Sequence, residues 1–445
     1  MEATLNHYRS GRDYRSFVDL EKGQVDRNIF SDEAIYRMEL ERIFARAWNF
    51  MCHESQIPNP GDFFRTYIGE DSVIATRDRQ GQLQVLLNTC PHRGSAICRA
   101  EMGNARTFMC PYHGWTFDLA GNLVGVPGHK EFYGGELKLE EWGLRKAAKV
   151  ESYKGFVFAT LDPDAPTLEE FLGVVGRMGL NMAAAQGDIA VVDGVQKFRI
   201  DCNWKLAVDN VFDWYHAPAT HASAAVTGFV PRRAFNDAQH VVALGEYGHA
   251  ISGPRLTPDI LEGLKQAGGI VPPLDESWRE RPGALDELPS FIADTRGHPN
   301  IFPNLWIALS GTQICLRVPR GPGCTEMWWF TLIDRNLTEE QRTARLARTN
   351  HTFGPGGFLE QDDGENWVQS TIATQGTVAR RQPFNFTMNL GHGSIKQDTS
   401  GAHYIDGVPV NEHGQLWTYS SWAEWMSAED WAQLKREHTV PSGAL

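Results

Sequence analysis

The sequence predicts an α+β protein with a small all-β domain and a larger domain in which an antiparallel β-sheet is flanked by helices. Between about Gly61 and Leu161, short strand-like segments are separated by Gly, Pro and Asp, as in a small β domain of about 100 residues. Beyond Asp162, helical segments alternate with longer strand candidates. A length of 445 residues fits one large domain or two unequal ones.

The composition is that of a globular protein with a sizeable core. The apolar share is 42%, with 14 Trp and 23 Phe. Lys and Arg number 42 against 55 Asp and Glu, and this net charge of −13 argues against nucleic-acid or anionic-membrane partners. No run of about 18 apolar residues is present, and the polar segment 1–10 shows no secretory signal, so a cytoplasmic protein without a membrane span is expected.

The first elements are predicted from capping residues and strand patterns. A helix at 31–48 begins with Ser31 as its cap and belongs to an N-terminal helical segment, 1–45, that packs with the large domain. The small β domain spans 46–163. Its clearest strand candidates are 72–76, 84–87 and 155–161.

The large domain spans 164–445. The sequence predicts helices at 168–178, 204–215 and 427–438, the last with Ser427 and Asp430 as a capping box. It predicts strands at 305–318 and 326–334. Residues 248–300 hold 7 of the 23 prolines and are the least regular part. They are either a functional loop, such as a lid, or simply a mobile one.

Two short strings of residues carry a first set of metal ligands. Cys90-Pro-His92 and Cys110-Pro-Tyr-His113 each offer one thiolate and one imidazole, with 17 residues between the strings. If the two loops face each other, the cysteines can bind one metal and the histidines a second. This is the ligand set of a Rieske [2Fe–2S] centre. Gly94 and Gly114 suit tight loops around a cluster. The alternative is a mixed Cys2His2 zinc site.

A second possible metal site lies at residues 209–221. His216 and His221 are five residues apart, which would place them roughly 140° apart on a regular helix. Pro218 is expected to bend the helix and bring the two rings together. Asp213, three residues before His216, would share its helical face. Two histidines and a carboxylate form the facial triad of non-haem Fe(II) oxygenases, whereas two ordinary capping or core histidines are the alternative.

The two motifs fit together, because an iron that activates O₂ needs electrons and a cluster that transfers electrons needs an acceptor. The strings HESQIPNPGDF (53–63), CPHRG, CPYHGWTFD, DNVFDWYH and FLEQDDGENW (358–367) carry a resemblance over most of the chain. The protein resembles the α subunits of Rieske non-haem iron ring-hydroxylating oxygenases, including naphthalene, biphenyl and benzoate dioxygenases. The segment 46–163 is then the Rieske domain and 164–445 the catalytic domain.

The resemblance implies a role for each metal-site residue. His216 and His221 would bind the mononuclear iron with Asp363 as the third ligand, and Asp362 would stand beside it without binding. Asp213 matches a bridging aspartate that connects His216 to His113 of a neighbouring subunit. Because that route crosses between subunits, the resemblance also implies a trimer of α subunits.

The substrate pocket is likewise implied by the resemblance, with the residues Asn210, Phe212, Ala217, His298, Phe353 and Leu359. Only two residues separate Asn210 from Asp213, where naphthalene-type sequences have three. Trp214 either narrows this pocket or packs in the core. Arg296 either pairs with a substrate carboxylate or is an arginine in a surface loop.

The implied activity is that of a terminal oxygenase that uses O₂ to convert a small aromatic substrate to a cis-dihydrodiol. Electrons would come from NAD(P)H through a separate reductase, with or without a ferredoxin, since no G-x-G-x-x-G motif follows a strand. A small β subunit would give α3β3, and its absence α3. Three alternatives are a Rieske monooxygenase or demethylase acting on an aromatic or amine substrate, an electron carrier, and a zinc-stabilised binding protein.

Overall fold

The computed structural model describes residues 13–230, 238–266, 271–273, 275–308 and 312–442. The chain divides into two compact units. One is Phe44–Leu168, and the other consists of the residues up to Ile43 together with those from Glu169 onward. The first is built mainly from short strands and the second from a large antiparallel sheet and helices, so the predicted α+β class is confirmed.

The N-terminal segment contributes two short strands and one helix to the large unit. Strand β1 (Val18–Asp19) pairs with β2 (Gln24–Val25), and β2 also pairs with a late strand at Phe384–Asn385. Helix α1 (Glu33–Glu39) continues into a π-helical turn, Leu40–Phe44. The predicted cap at Ser31 is wrong. Asp32 caps the helix by accepting hydrogen bonds from two backbone amides, while the Ser31 hydroxyl donates to Thr374 O.

Helix α1 is tied to the rest of the large unit by a buried ion pair. Glu39 is fully buried, and its Oε1 accepts a 2.6 Å hydrogen bond from Lys205 Nζ. The indole nitrogens of Trp204 and Trp422 each donate to the same carboxylate at 2.8 Å. Burial lowers the pKa of Lys205, and Glu39 opposes that change. Four polar groups therefore satisfy one another inside the core.

The small unit consists of three antiparallel sheets. The elements are β3 (Asn49–His53), β4 (Asp62–Ile68), β5 (Asp71–Arg77), β6 (Leu83–Leu87), β7 (Met102–Asn104), β8 (Phe108–Met109), β9 (Thr116–Phe117), β10 (Leu123–Gly125), α2 (His129–Tyr133), β11 (Lys149–Tyr153) and β12 (Phe156–Thr160). Two of the sheets have three strands each, in the orders β11-β12-β3 and β10-β9-β8, and the third has four, in the order β6-β5-β4-β7. Strands β5, β6 and β12 lie where the sequence predicts them.

A ten-stranded antiparallel sheet forms the centre of the large unit. Its strands are β13 (Ile189–Val191), β14 (Gln196–Ile200), β15 (His240–Leu244), β16 (Ala250–Pro254), β17 (His298–Ile301), β18 (Leu305–Ala308), β19 (Gln313–Pro319), β20 (Thr325–Asp334), β22 (Lys396–Gln397) and β23 (His403–Val408), whereas β21 (Phe384–Asn385) belongs to the small N-terminal sheet. The order of the strands is β13-β20-β19-β18-β17-β16-β15-β23-β22, and β14 also pairs with β20. The predicted single strand at 305–318 is wrong, because Leu305 pairs with Leu316 and the chain reverses between them.

Helices cover the sheet and connect its strands. They are α3 (Leu168–Ala184), α4 (Trp204–Asp209), α5 (Ala217–Thr220), α6 (Ala222–Val226), α7 (Pro258–Gln266), α8 (Ser290–Ala293), α9 (Glu339–Asn350), α10 (Glu360–Gln375), α11 (His413–Ser427) and α12 (Trp431–Glu437). Val175 and Met178 of α3 pack in one apolar cluster with Val241 and Ile251 of the sheet. Trp417 of α11 donates its indole N–H to Gly245 O.

Two predicted features of the large domain need correction. Ser427 ends α11 instead of capping the next helix, and Asp430 alone caps α12 by accepting from Gln433 N. Residues 248–300 include β16, α7, α8 and the start of β17, so they are more regular than their proline content predicts. Within the described ranges, no helix has the length and apolar character needed to cross a membrane.

We expect the Glu39→Ala substitution to lower the free energy of unfolding of the large unit by about 3–5 kcal/mol, because it leaves the buried Lys205 ammonium uncompensated. The measurement is guanidinium chloride unfolding followed by Trp fluorescence. Glu33→Ala is the control on the same helix: its ion pair with Arg37 is exposed, so its loss is worth at most about 0.5 kcal/mol. Equal effects of the two substitutions would contradict the prediction.

Candidate metal centres and substrate cavity

The two loops that hold the predicted cluster ligands share one backbone pattern. Gly94 N donates to Cys90 O at 2.8 Å, and Gly114 N donates to Cys110 O at 3.0 Å. The amide of each cysteine in turn donates to a carbonyl of the residue that follows its glycine. Both glycines have positive φ values, 74° and 73°, in the region that side-chain-bearing residues rarely adopt. The repeated glycine is therefore what allows each loop to close so tightly.

The four predicted cluster ligands are brought together, thiols with thiols and imidazoles with imidazoles. Cys90 and Cys110 are buried, and burial, together with a side-chain hydrogen bond to Cys110, raises the pKa of the Cys90 thiol. The rings of His92 and His113 have centroids 4.6 Å apart. His92 Nδ1 is buried without a hydrogen-bond partner in the described part of the chain. This donor set fits a Rieske cluster, with sulfur ligands for one iron and nitrogen ligands for the other.

Trp115 supports the imidazole side of this site. Its ring is buried and stacks on His92 with centroids 4.9 Å apart and an interplanar angle of 5°. On the other side, the exposed Tyr112 ring stacks on His113 at 3.8 Å. The two histidine rings are partly exposed, whereas the thiols are not. The histidine end of the site is therefore the end that faces outward.

The chain around Asp213 differs from the sequence prediction. Helix α4 ends at Asp209 and is followed by a 3₁₀ turn, Asn210–Phe212, after which Asp213 adopts an extended conformation. Asp213 Oδ1 accepts from the amides of Tyr215 and His216 at 2.8 and 3.2 Å. Asp213 and His216 therefore do not share a helical face. The aspartate instead starts a turn through its own side chain, which competes with continued helix.

The chain bends at His221 and not at Pro218, where the sequence predicts the bend that brings the two histidines together. Pro218 occupies the first turn of α5, where its missing N–H costs no hydrogen bond. His216 precedes this short helix, and His221 lies between α5 and α6 with φ −97° and ψ 29°. The result is the predicted approach of the two rings, with the Nε2 atoms 3.1 Å apart.

Asp363 completes a compact set of three ligand atoms. It lies in the first turn of α10, and its Oδ1 is 3.2 Å from His216 Nε2 and 3.3 Å from His221 Nε2. The three atoms therefore form a nearly equilateral triangle. Bonds of about 2.1 Å at right angles around a divalent metal separate neighbouring ligand atoms by about 3.0 Å. The triangle thus fits one face of an octahedron, as in the two-histidine, one-carboxylate iron site.

The charges around the triangle also favour a cation. Asp363 Oδ1 is buried and has no hydrogen-bond partner among the residues described. Burial lowers the pKa of His216, but Asp213 and Asp363 outweigh it and raise that pKa to about 10. Burial lowers the pKa of His221. The carboxylates thus stabilise positive charge where the three ligand atoms meet, and a metal ion would supply that charge.

A second carboxylate faces each histidine from behind. Asp213 Oδ2 lies 3.4 Å from His216 Nδ1, and Asp362 Oδ2 lies 3.8 Å from His221 Nδ1. Such carboxylates favour the proton on Nδ1 and leave Nε2 free to bind a metal. The sequence prediction assigned no contact to Asp362. Its position next to Asp363 was the signal that could have indicated its contact with His221.

A cavity of about 120 Å³ opens onto the triangle. Five of the six predicted pocket residues line it: Asn210, Ala217, His298, Phe353 and Leu359. Trp214, Phe229 and Trp306 add aromatic surface. Trp214 is thus a cavity residue, and its ring centroid lies 4.6 Å from that of His298.

Phe212 does not line the cavity. It is buried, and its ring packs against Gly414 of α11, so closely that a Cβ at Gly414 would lie 2.9 Å from it. The reason is the 3₁₀ turn: residues two apart on a three-residue turn point in directions about 120° apart. Asn210 faces the cavity, so Phe212 faces the core.

Two arginines in the cavity wall complete the site. Arg296, predicted either to meet a substrate or to lie at the surface, is 4% exposed and lines the cavity. Arg348 of α9 also lines it, with 6% exposure. Sequence reasoning missed Arg348, because nothing in its local sequence distinguishes it from Arg342 and Arg345 of the same helix, which are less buried.

Comparison with known proteins places this architecture in a class. A family model described as the Rieske [2Fe-2S] domain matches residues 47–154, and one described as the ring hydroxylating alpha subunit (catalytic domain) matches residues 186–428. The two domains together define a Rieske non-haem iron oxygenase. The chain belongs to the family of ring-hydroxylating dioxygenase α subunits.

Relatives are similar over nearly the whole chain. The biphenyl 2,3-dioxygenase α subunit of Rhodococcus jostii (strain RHA1) is 37% identical, covering 95% of this chain and 93% of the relative. The chlorobenzene dioxygenase α subunit of Cupriavidus sp. (strain PS12) is 35% identical, with 96% of both covered. The crystal structure of naphthalene 1,2-dioxygenase from Rhodococcus sp., bound to indole, superimposes with a TM-score of 0.80 at 32% identity, covering 94% of this chain and 99% of that one.

These findings confirm the predicted class of function. The protein is the oxygenase component of an aromatic ring-hydroxylating dioxygenase, with a Rieske [2Fe–2S] cluster and a mononuclear iron as cofactors. It belongs to a multicomponent system in which ferredoxin or reductase proteins supply electrons from NAD(P)H, and many members have a β subunit.

We expect His221→Ala to remove one iron per chain while the cluster irons and sulfides remain, because it deletes one corner of the ligand triangle. Iron and acid-labile sulfide analysis, with the electron paramagnetic resonance spectrum of the reduced cluster, measures this. Glu365→Gln on α10 is the control and should keep all the iron. Full iron content in His221→Ala would show that the mononuclear site lies elsewhere.

Proposed function

We propose that His216, His221 and Asp363 hold the mononuclear iron of this dioxygenase, and that Cys90, His92, Cys110 and His113 hold its cluster. The observation that carries the proposal is the triangle of ligand atoms, with sides of 3.1–3.3 Å, at one end of a cavity lined with aromatic side chains. When bound, the iron would activate O₂ for addition to adjacent carbons of an aromatic ring. Residues 46–163 would be the electron-accepting domain and 164–445 the catalytic domain. The N-terminal segment 1–45, of which residues 1–12 lie outside the described ranges, would belong with the catalytic domain.

The cavity residues would orient the ring and exclude water. Phe353 and Trp306 have ring centroids 4.9 Å apart at an interplanar angle of 68°, and Phe353 stacks on Trp329. Such an aromatic wall suits the face or edge of a substrate ring. Asn210, Ala217, His298 and Leu359 would complete the contact surface. The names of the relatives, which refer to biphenyl and chlorobenzene, support a one- or two-ring aromatic substrate.

Asp213 is proposed to position His216 and to receive the electron from a partner subunit. Its side chain remains 34% exposed, so one edge is available beyond its contact with His216. Asp209, four residues earlier at the end of α4, is partly buried and accepts a 2.5 Å hydrogen bond from Tyr419 Oη. Burial raises the pKa of Asp209 well above its ordinary value. Burial also raises the pKa of Asp213, but its contacts with His216 outweigh that effect and lower the pKa, so Asp213 keeps its negative charge.

This role requires a neighbouring copy of the chain, so an α3 or α3β3 assembly is part of the proposal. The naphthalene-type relatives favour the α3β3 form. A cytoplasmic location is likewise proposed, because the electrons come from NAD(P)H through separate proteins of the same system.

The number of oxygen atoms that enter the product tests the proposed reaction. Holoenzyme with its cluster reduced should convert an aromatic hydrocarbon under ¹⁸O₂ to a cis-dihydrodiol carrying two ¹⁸O atoms. One ¹⁸O atom in the product would indicate the monooxygenase alternative. The His221→Ala variant is the control, since a product that it also forms cannot come from this site.

We expect Asp213→Asn to lower turnover by about 10- to 100-fold while iron and cluster contents stay unchanged, because the amide cannot stabilise a charged or strongly polarised His216. The measurement is the rate of product formation per iron, together with the rate at which the reduced cluster is reoxidised. Asp201→Asn, an exposed aspartate paired with Arg199, is the control. Unchanged rates in Asp213→Asn would remove the proposed role.

A further inference from the structure

Two buried guanidinium groups belong to the wall of the cavity that opens onto the ligand triangle. Arg296 lies two residues before β17, and Arg348 lies in the last turn of α9. They are 4% and 6% exposed. A buried charge is costly unless it is paired and hydrogen-bonded, so each of the two needs an explanation.

Arg296 is only loosely paired. Its nearest carboxylate, Glu276, places Oε1 3.5 Å from Arg296 Nε, and that nitrogen has no hydrogen-bond partner among the described residues. The other oxygen of Glu276 accepts a 2.7 Å hydrogen bond from Arg279, which also donates to Ala293 O and Thr295 O. Arg279 is therefore the well-bonded partner of Glu276, and Arg296 is left with spare hydrogen-bonding capacity.

Arg348 is also incompletely satisfied. Its Nη2 donates to Phe229 O at 3.0 Å, and its guanidinium carbon lies 3.9 Å from the centroid of the Phe229 ring. Nε and Nη1 are buried, and neither has a hydrogen-bond partner in the part of the chain that the structure describes. The contact with Phe229 orients the group over the cavity but does not use these two donors.

The two arginines act on each other electrostatically. Burial lowers the pKa of each arginine to about 10, and the positive charge of Arg296 contributes to the lowered pKa of Arg348. Both remain protonated at neutral pH. His298, which lines the same cavity, has its pKa lowered to about 3 by burial and by Arg296, so it is neutral. The carboxylates of Asp213 and Asp363 lie against His216, and Glu276 is shared between Arg279 and Arg296, so the two arginines leave a net positive charge in the wall.

We propose that this cavity selects an aromatic carboxylate, whose carboxylate group is held by Arg296 and Arg348 while its ring lies along Phe353 and Trp306 toward the ligand triangle. Guanidinium donors match a carboxylate in both geometry and charge. A cavity of about 120 Å³ is similar in size to cavities that bind a single aromatic ring. This inference rests on the proposed function.

The carboxylate is a recognition group and is not changed in the reaction. The ring gains both atoms of O₂, and two electrons and two protons, supplied through NAD(P)H and the partner proteins, balance the addition. The product is a cis-dihydrodiol that keeps its carboxylate. A protein with this preference would turn over benzoate better than toluene, in which a methyl group replaces the carboxylate.

The test compares benzoate with toluene, using holoenzyme with a reducing system. We expect wild-type enzyme to have the higher kcat/KM for benzoate. Arg296→Gln and Arg348→Gln should each lower kcat/KM for benzoate about 100-fold, as expected when one partner of a buried charged pair is lost. Their kcat/KM for toluene should fall far less than that for benzoate, because toluene has no carboxylate for the arginines to hold. Anaerobic binding of benzoate, measured by calorimetry, should weaken in the same two variants.

Arg345→Gln is the matched control. Arg345 lies on α9, one turn before Arg348, and donates to Gln186 outside the cavity. Its substitution should leave the ratio of the two kcat/KM values unchanged. Arg296→Lys and Arg348→Lys keep the charge and should retain part of the preference for benzoate.

Two outcomes would overturn the inference, and a third would count against the proposed function. Wild-type enzyme that binds and converts toluene but not benzoate would exclude an anionic substrate, while the proposed function stands. Equal losses on both substrates in the glutamine variants would show that the arginines serve only the fold. Failure of wild-type, iron-replete enzyme to oxygenate either compound, even though it binds benzoate, would instead count against the proposed function. The wild-type comparison is decisive even if a variant does not fold.

Discussion

The catalytic unit is organised around one constraint: two imidazole nitrogens and a carboxylate oxygen must lie within 3.3 Å of one another in a mostly buried site. Without a cation this arrangement is unfavourable, because lone pairs and negative charge converge. The local structure is consistent with this requirement. Helix α4 stops at Asp209, the chain bends at His221, and α10 begins so that Asp363 falls in its first, buried turn.

Charged groups surround the triangle and also line the cavity. Asp213 and Asp362 stand behind the two histidines, so negative charge is concentrated next to the three ligand atoms. Arg296 and Arg348 supply positive charge to the cavity wall, which also carries aromatic side chains. A cavity that combines aromatic surface with charged groups can orient a substrate as well as bind it, because a polar substituent has one favourable direction.

Prediction from sequence reached furthest where candidate ligands lie in short strings. The four residues proposed to hold the cluster, Cys90, His92, Cys110 and His113, occur in strings of three and four residues, and their spacing was sufficient to suggest them. It failed at residues 210–215, because the predicted helix ends at Asp209 and is followed by a 3₁₀ turn and then by the turn that the Asp213 side chain makes. It also failed at Phe212, which only the family resemblance implied. Asn210 and Phe212 point in different directions on the 3₁₀ turn, so Phe212 packs against Gly414 and not in the cavity. Arg348 could not be found, since burial by distant segments leaves no local signal.

Helices α5 and α6 have four and five residues, well below the length at which a helix is stable by itself in water. Both flank His221, and both contribute to the cavity wall through Ala217 and Ala225. A metal ion bound at His216 and His221 would therefore act as a cross-link that keeps this wall in place. Iron affinity and substrate affinity then become thermodynamically linked, so that each ligand raises the affinity for the other by the same factor.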